Sequence, residues 1–469
     1  MVRSSSLVDL VKLSMNTLAT PILEEVALDV VEGTLPPEIN GVLLRNGPGR
    51  QERGGQPYGH PFDGDGFVQR LAIEDGQARY RADWVRTEEW KAEEAADRIL
   101  FRGFGTNRPG GTWTNMFDLR FKNAANTSII THAGHTLALW EGGIPHAVDP
   151  NTLATLGRFD FAGGLRNQRS FFDKWLNPEL PFAAHPRFDP HTGELWSFGV
   201  AHGIKNHLLI HRVSAEGQLK THWVELPQLP FVHDFVLTEK YCVFVLPAVS
   251  FALGAALLGR RSPVTSLQLK DNRPGLVLLW PRDGGAPRWA EGPSGFVFHW
   301  AHGFEDAHGN VVLTGMHYPS FPRLDAPLEQ VGRSVPVPLR LTIDANDRST
   351  MDAASDHLLE LPTTATPFNQ PTRRIFGVAG PPERDYPVLT GIGELDPDDR
   401  FLYRDLYPAV PGEPIPVADG RWLITWVFYA DDPSEIWVLD AETLETQARI
   451  RLPVSVPQGL HGQWTERVA

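Results

Sequence analysis

Beyond residue 40 the chain reads as short apolar runs broken by polar turns. The clearest are VLLRN (42–46), FVQRLAI (67–73), SIITHAG (128–134), TLALWEGG (136–143), ELWSFGV (194–200) and HLLIHRV (207–213). VFVLP (243–247), LVLLWP (276–281), NVVLTGM (310–316), RWLITWVFY (421–429) and EIWVLD (435–440) continue the series. They are rich in Val, Ile, Phe and Trp and bounded by Gly, Pro, Asn and Asp, which predicts β-strands. A turn motif recurs at VDPNTL (148–153), FDPHTGEL (188–195), TIDAND (342–347) and LDAETL (439–444). In each, an Asp follows an apolar strand end, where its carboxylate accepts backbone N–H bonds across a tight turn. Such turns occur in many β proteins and their spacing here is irregular. Together with so many short strands in one long chain, they favour a β-propeller over a sandwich. Seven blades at roughly 65 residues each leave room for long loops on one face.

Two stretches depart from the strand pattern. Residues 5–18 place Leu7, Leu10, Val11 and Leu18 at helical spacing, and 248–261 (AVSFALGAALLGRR) reads as an apolar helix ending in two arginines. The expected layout is an N-terminal helical segment over 1–30, then one propeller over 31–469 with cap insertions that include 248–261.

Composition narrows the function. The 469 residues exceed an ordinary single core, which a large closed repeat accommodates. A net charge of -14 argues against nucleic acid as a partner. The single cysteine, Cys242, excludes disulfides within the chain and thiolate metal clusters, and fits a reducing cytoplasm. The N-terminus lacks the unbroken apolar core of a secretory signal, and no apolar run is long enough to span a bilayer.

The 17 histidines carry the candidate chemistry. FVFHWAHGFED (296–306) sets His299 and His302 three residues apart in an apolar run, so either is a ligand candidate or a buried, hydrogen-bonded side chain. Local spacing does not decide, since no HxxxH or HExxH motif occurs. His185, His233, His299 and His461 all sit in strand-like apolar contexts or at their edges. Burying four imidazoles is costly unless each is paired or bound to a metal. A propeller gathers such residues from distant blades at its axis.

These segments resemble the carotenoid cleavage oxygenase family, most closely its cyanobacterial, retinal-forming apocarotenoid oxygenases. The resemblance runs from about residue 30 to the C-terminus. It rests on GVLLRNGPG (41–49), HPFDGDGFV (60–68), FDLRFKNAANTSI (117–129), LALWEGGIPHAVDP (137–150), AAHPRFDP (183–190), FVHDFVLT (231–238), GFVFHWAHGFED (295–306), GEPIPV (412–417) and LHGQW (460–464). It implies an all-β, seven-bladed propeller with a helical and loop cap over an axial non-haem Fe(II), one per chain. By motif, His185, His233, His299 and His461 are the ligands, and His302 falls where the family has Asn. Positions 299 and 302 also face opposite sides of a regular strand. The resemblance further implies that Glu141, Glu360 and Glu413 hold the ligands' outer N–H groups. Thr127 stands at a catalytic-pocket position whose methyl narrows one open iron position. The NGPG and FDGDG runs read as architecture, supplying tight turns.

The family divides by substrate. Its stilbene cleavers resemble one another in placing Lys before the glutamate where this chain has Trp140. An indole offers a flat apolar wall and no charge for a phenol, which favours a polyene. The leading expectation is therefore an Fe(II) dioxygenase. It uses O2 to cut a C=C bond of a linear apocarotenoid, retinal-type at 15,15', into two carbonyl products. The alternatives are a stilbene-cleaving dioxygenase and a non-catalytic propeller that binds apolar ligands. Phe251, Leu253, Leu257 and Leu258, beside Arg260 and Arg261, form a candidate patch for peripheral membrane docking of a cytoplasmic enzyme.

Overall fold

The computed structural model describes residues 18–466 apart from 119, 204, 230, 271, 321–333, 366–373, 382–388 and 431. The 5–18 helix expected from the sequence therefore lies, but for Leu18, outside the described residues. Part of the 1–30 segment is not helical: Ile22–Leu28 is a strand that pairs with Gln77–Trp84.

All eleven apolar runs form strands. The larger sheets number seven, each of four to six strands, and they make a seven-bladed β-propeller. Neighbouring strands within each are antiparallel, so one face of every sheet packs against the next sheet. One core cluster joins Leu43, Phe67 and Leu71 of the first sheet to Trp422, Ile424 and Trp426 of the last. The ring closes through both chain ends. Gly41–Arg45 lies between Phe67–Glu74 and the C-terminal strand Gly462–Glu466, and Val30–Gly33 adds to the last sheet beside Thr446–Arg451. These long-range pairings tie the two chain ends into the first and last sheets and so close the circle.

The Asp turns behave as expected. Asp149, Asp189, Asp344 and Asp440 each accept the backbone N–H two residues on, at 2.8–3.0 Å. Asp306 and Asp396 do the same in two further hairpins.

The 248–261 segment corrects the sequence reading. Val249–Phe251 is a strand paired with Leu267–Leu269, and only Leu253–Leu257 is helical. The β-favouring Val-Ser-Phe run finds a partner, and Gly259 ends the helix at φ 65°. Its missing side chain matters, because a Cβ there would lie 2.4 Å from that of Asn115. The longest helix among the described residues, Glu88–Ala96, was not foreseen, although Thr87 caps it by accepting the Trp90 N–H and Glu88 and Glu89 open its first turn.

Candidate metal centre

Each of the seven sheets delivers one ionisable side chain to a common cluster. His185 lies just before the inner strand Arg187–Asp189, and His233 just before Val236–Leu237. His299 sits within Phe296–Glu305, and His461 immediately precedes Gly462–Glu466. The remaining three sheets supply Glu141 after His135–Leu139, Glu360 within Leu358–Thr364, and Glu413 between Val410–Pro411 and Ile415–Val417.

The imidazoles converge. The His185 ring centroid lies 4.5, 5.2 and 4.6 Å from those of His233, His299 and His461. His299 is 5.0 Å from His461. Ring nitrogens of His185, His233 and His299 fall within 4.8 Å of one another. His461 stands slightly outside that tighter group while its ring stays packed against two of the three.

Three carboxylates fix the tautomers. The Nδ1–H of His233 donates to Glu141 (2.8 Å), that of His299 to Glu360 (2.6 Å) and that of His461 to Glu413 (2.8 Å). With Nδ1 protonated, each neutral ring leaves Nε2 as a bare lone pair. Glu413 also accepts the Gly462 N–H, and Glu360 accepts the Tyr318 hydroxyl at 3.0 Å.

Two observations show that this donor set suits a metal ion. Nε2 of His299 is buried and has no hydrogen-bond partner. Nε2 of His185 and Nε2 of His233 are 3.0 Å apart. Metal–imidazole bonds of about 2.1 Å at right angles separate two nitrogens by about 3 Å. Four neutral imidazoles form a borderline set suited to Fe(II) and related transition ions.

Burial pushes the His185 imidazole well below its ordinary range, and the neighbouring rings add to the effect. Burial likewise lowers His461, against the pull of Glu413. At His299 burial also opposes the cation, but the Glu360 carboxylate outweighs it and raises the pKa. Burial alone would raise Glu360; His299, the Leu361 N–H and Tyr318 together hold it below its usual value.

His302 does not join the cluster. It pairs with Thr314, stacks on Phe304 at 5.9 Å, and lines a cleft with Arg340 between two blades. The strand is not regular here: its register shifts between Val297 and Trp300 and again between Trp300 and His302. The alternation argument separated the two histidines, but bulges also set where each side chain goes.

Thr127 borders the cluster: its carbonyl accepts the His461 N–H (3.3 Å), and its hydroxyl donates to Asn126 (3.2 Å). Trp140 is half-buried, its indole lying over Gly142 and Gly143 beside Glu141. The FDGDG aspartates are architectural. Asp63 accepts from Gly105 N–H and Thr106 hydroxyl, while Asp65 is buried in a charge network with Arg53 and Lys122.

Sequence reasoning missed three features. Tyr318 braces Glu360 from a neighbouring strand. Nη2 of Arg187 donates to both carboxylate oxygens of Asp234, directly beside His185 and His233, and to the Trp300 carbonyl at 2.8 Å. Their signal was adjacency to the ligands in HPRF and VHDF. Phe298, 5.4 Å from the His233 ring, begins an aromatic row through Phe296 to Phe231.

Residues 18–466 match the family described as "Retinal pigment epithelial membrane protein". The chain belongs to this carotenoid cleavage oxygenase family. It is an enzyme of the dioxygenase class, and the family's members are iron-dependent. Apocarotenoid-15,15'-oxygenase of Synechocystis is 32% identical over 464 residues, covering 93% of this chain and 92% of that protein. Resveratrol cleavage oxygenase 1 of Aspergillus fumigatus is 28% identical over 486 residues, covering 93% and 91%. The structure of cobalt-substituted Synechocystis ACO matches with a TM-score of 0.88 at 30% identity, over 98% of both chains.

Proposed function

We propose that this chain binds one Fe(II) through His185, His233, His299 and His461. With O2, it cleaves a central double bond of a linear apocarotenoid, in the 15,15' manner, to a retinal-type product and a second carbonyl. The observation that carries this reading is the convergence of four imidazoles, three with their outer N–H groups held by carboxylates. Bound Fe(II) supplies the redox chemistry that lets O2 react with an alkene. One C=C and one O=O bond break, two C=O bonds form, and no external reductant is consumed.

The chain's own residues do the rest. Glu141, Glu360 and Glu413 lock the tautomers so that Nε2 faces inward. Four protein ligands would leave an octahedral ion up to two open positions. Thr127, hydrogen-bonded beside His461, would narrow access to one of them. Trp140 and the row Phe298–Phe296–Phe231 present apolar faces to a polyene, and an indole gives a phenol no charge to bind. The 32% identical Synechocystis relative supports the apocarotenoid substrate.

The substrate is reached from a membrane surface. Leu253 is 59% exposed, and Phe251, Leu257 and Leu258 are half-buried beside it. The neighbouring 112–121 segment enlarges this face: Trp113 is 84% and Phe117 67% exposed, and the Phe117 N–H donates to the Leu257 carbonyl. Arg120, Arg260 and Arg261 are exposed around it. Apolar tips ringed by arginines suit a peripheral position at the phosphate level. No helix among the described residues is long and apolar enough to cross a membrane.

The test is iron content together with product analysis by mass spectrometry, using a panel of apocarotenals and one stilbene. Near-stoichiometric iron and two carbonyl products from an apocarotenal are expected. Cleavage of the stilbene alone would transfer the protein to the phenolic branch, and a folded, iron-free protein that binds polyenes unchanged would make it a carrier.

A further inference from the structure

Arg45, in the GVLLRNGPG run, has no part in the chemistry described so far. Its side chain is among the most deeply buried in the protein, at 1% exposure. Its one hydrogen bond runs from Nη2 to the Gly459 carbonyl (3.1 Å), while Nε and Nη1 have no partner. A buried guanidinium with most of its donors unused is costly, so something else must compensate.

The surroundings show what does. The guanidinium carbon lies 5.1 Å from the Trp426 ring and 5.9 Å from the Phe428 ring, within cation–π range. On its other side it meets the backbone of Gly412 and Gly459. A Cβ on Gly412 would be 2.3 Å from Nη2, and one on Gly459 would be 2.9 Å from Nε. Gly412 immediately precedes Glu413, and Gly459 stands two residues before His461. Burial lowers the Arg45 pKa to about 10, and Glu413 opposes that shift. Arg45 thus backs the His461–Glu413 pair, whose two members both come from loops between strands.

We propose that Arg45 is the positioning residue of the fourth imidazole. Its buried side chain, packed on Gly412 and hydrogen-bonded to the Gly459 carbonyl, keeps the Gly412–Glu413 and Gly459–His461 loops in register. This rests on the reading of the four histidines as an iron site. Arg45 acts through Glu413 and touches neither substrate nor reacting atoms.

The test compares Arg45→Met, which removes the charge at similar length, with Arg45→Lys, which keeps it. Wild type, both variants, Glu413→Gln and the Arg45→Met/Glu413→Gln double variant are loaded with Fe(II), and iron loss to a chelator is timed. Circular dichroism melting of the iron-free proteins reports the fold separately. Arg45→Met should lose iron roughly ten- to a hundredfold faster, Arg45→Lys within about threefold of wild type. The double variant should be little worse than Glu413→Gln alone, because both changes remove one interaction. The Co(II) form of Arg45→Met should show an altered visible spectrum that Arg45→Lys restores. Unchanged iron loss in Arg45→Met, fast loss in a folded Arg45→Lys, or additive losses in the double variant would overturn the proposal. So would failure of both single variants to fold, since Arg45 would then serve the core. If folded wild type itself retains no iron, the metal-site reading fails instead.

Discussion

Glu360→Gln isolates the charge of one supporting carboxylate with little change in shape. Glu360 accepts the His299 Nδ1–H and the Leu361 N–H on one oxygen and the Tyr318 hydroxyl on the other. A glutamine whose carbonyl takes the first place still serves His299 and Leu361. Its NH2 then faces Tyr318, whose hydroxyl turns to accept. Only the negative charge opposite the imidazole is lost. Hydrogen bonds to a charged group contribute about 1.5–3 kcal/mol when buried, and this side chain is 9% exposed. That range corresponds to a loss of iron affinity of roughly ten- to a hundredfold, as for other carboxylate–histidine–metal arrangements. Glu141 makes the same bond to His233, but its side chain is 35% exposed, so water screens its charge. Glu141→Gln should therefore cost less, about tenfold or below. The assay is iron per chain after equilibration with graded chelator, with turnover measured at saturating iron. If Glu141→Gln costs more than Glu360→Gln, or Glu360→Gln costs nothing, the carboxylates do not act by charge through the imidazoles.

His302→Ala should keep full iron occupancy, whereas Ala at His185, His233, His299 or His461 should empty the site; metal loss from His302→Ala with retention in His299→Ala would reverse the assignment. Joint replacement of Trp113, Phe117 and Leu253 by serine should weaken liposome binding and raise the apparent KM for membrane-dissolved substrate at unchanged iron content; unaltered liposome binding would move the docking face elsewhere. His146 is 2% exposed with both ring nitrogens unpartnered, and burial, with Arg158 nearby, lowers its pKa from 6.5 to about 4. The unfolded chain takes up that proton first, so stability is intact above pH 6.5 and falls by about 3 kcal/mol as pH drops towards 4. In urea titrations His146→Leu should match wild type at pH 7 and exceed it at pH 5; parallel losses in both proteins would absolve His146.

Strands and turns were legible because they depend on neighbours in the chain. The apolar run ELWSFGV and the Asp turns at Asp149, Asp189, Asp344 and Asp440 act over a few residues, and the fold preserves them. The ligand set was not legible in this way. His185, His233, His299 and His461 come from four sheets, and nothing local separates them from the other histidines; the family motifs marked them. The 248–261 stretch failed for the opposite reason. Its apolar residues suit a helix, but Val249–Phe251 gains a strand partner at Leu267–Leu269. Trp113 and Phe117 went unnoticed because exposure on a shared face is a property of the folded surface.

The propeller itself explains why four histidines and three glutamates meet at one centre. Each inner strand reaches the axis, so each sheet has one place from which a side chain enters the centre. Four sheets use it for imidazoles and three for carboxylates. His299–Glu360 and His461–Glu413 join adjacent sheets, while His233–Glu141 reaches across the sheet that carries His185. His185 is the exception: no carboxylate holds it, and its nearest polar contact is Nε2 of His233. Burial, with the neighbouring imidazoles and Arg187 adding to it, pushes its pKa well below the ordinary range. The charge of the centre is therefore lopsided, with all three carboxylates behind the other imidazoles and Arg45 behind one of them. Exchange of His185 leaves no carboxylate without its partner, whereas exchange of His461 also strands the buried Glu413 carboxylate.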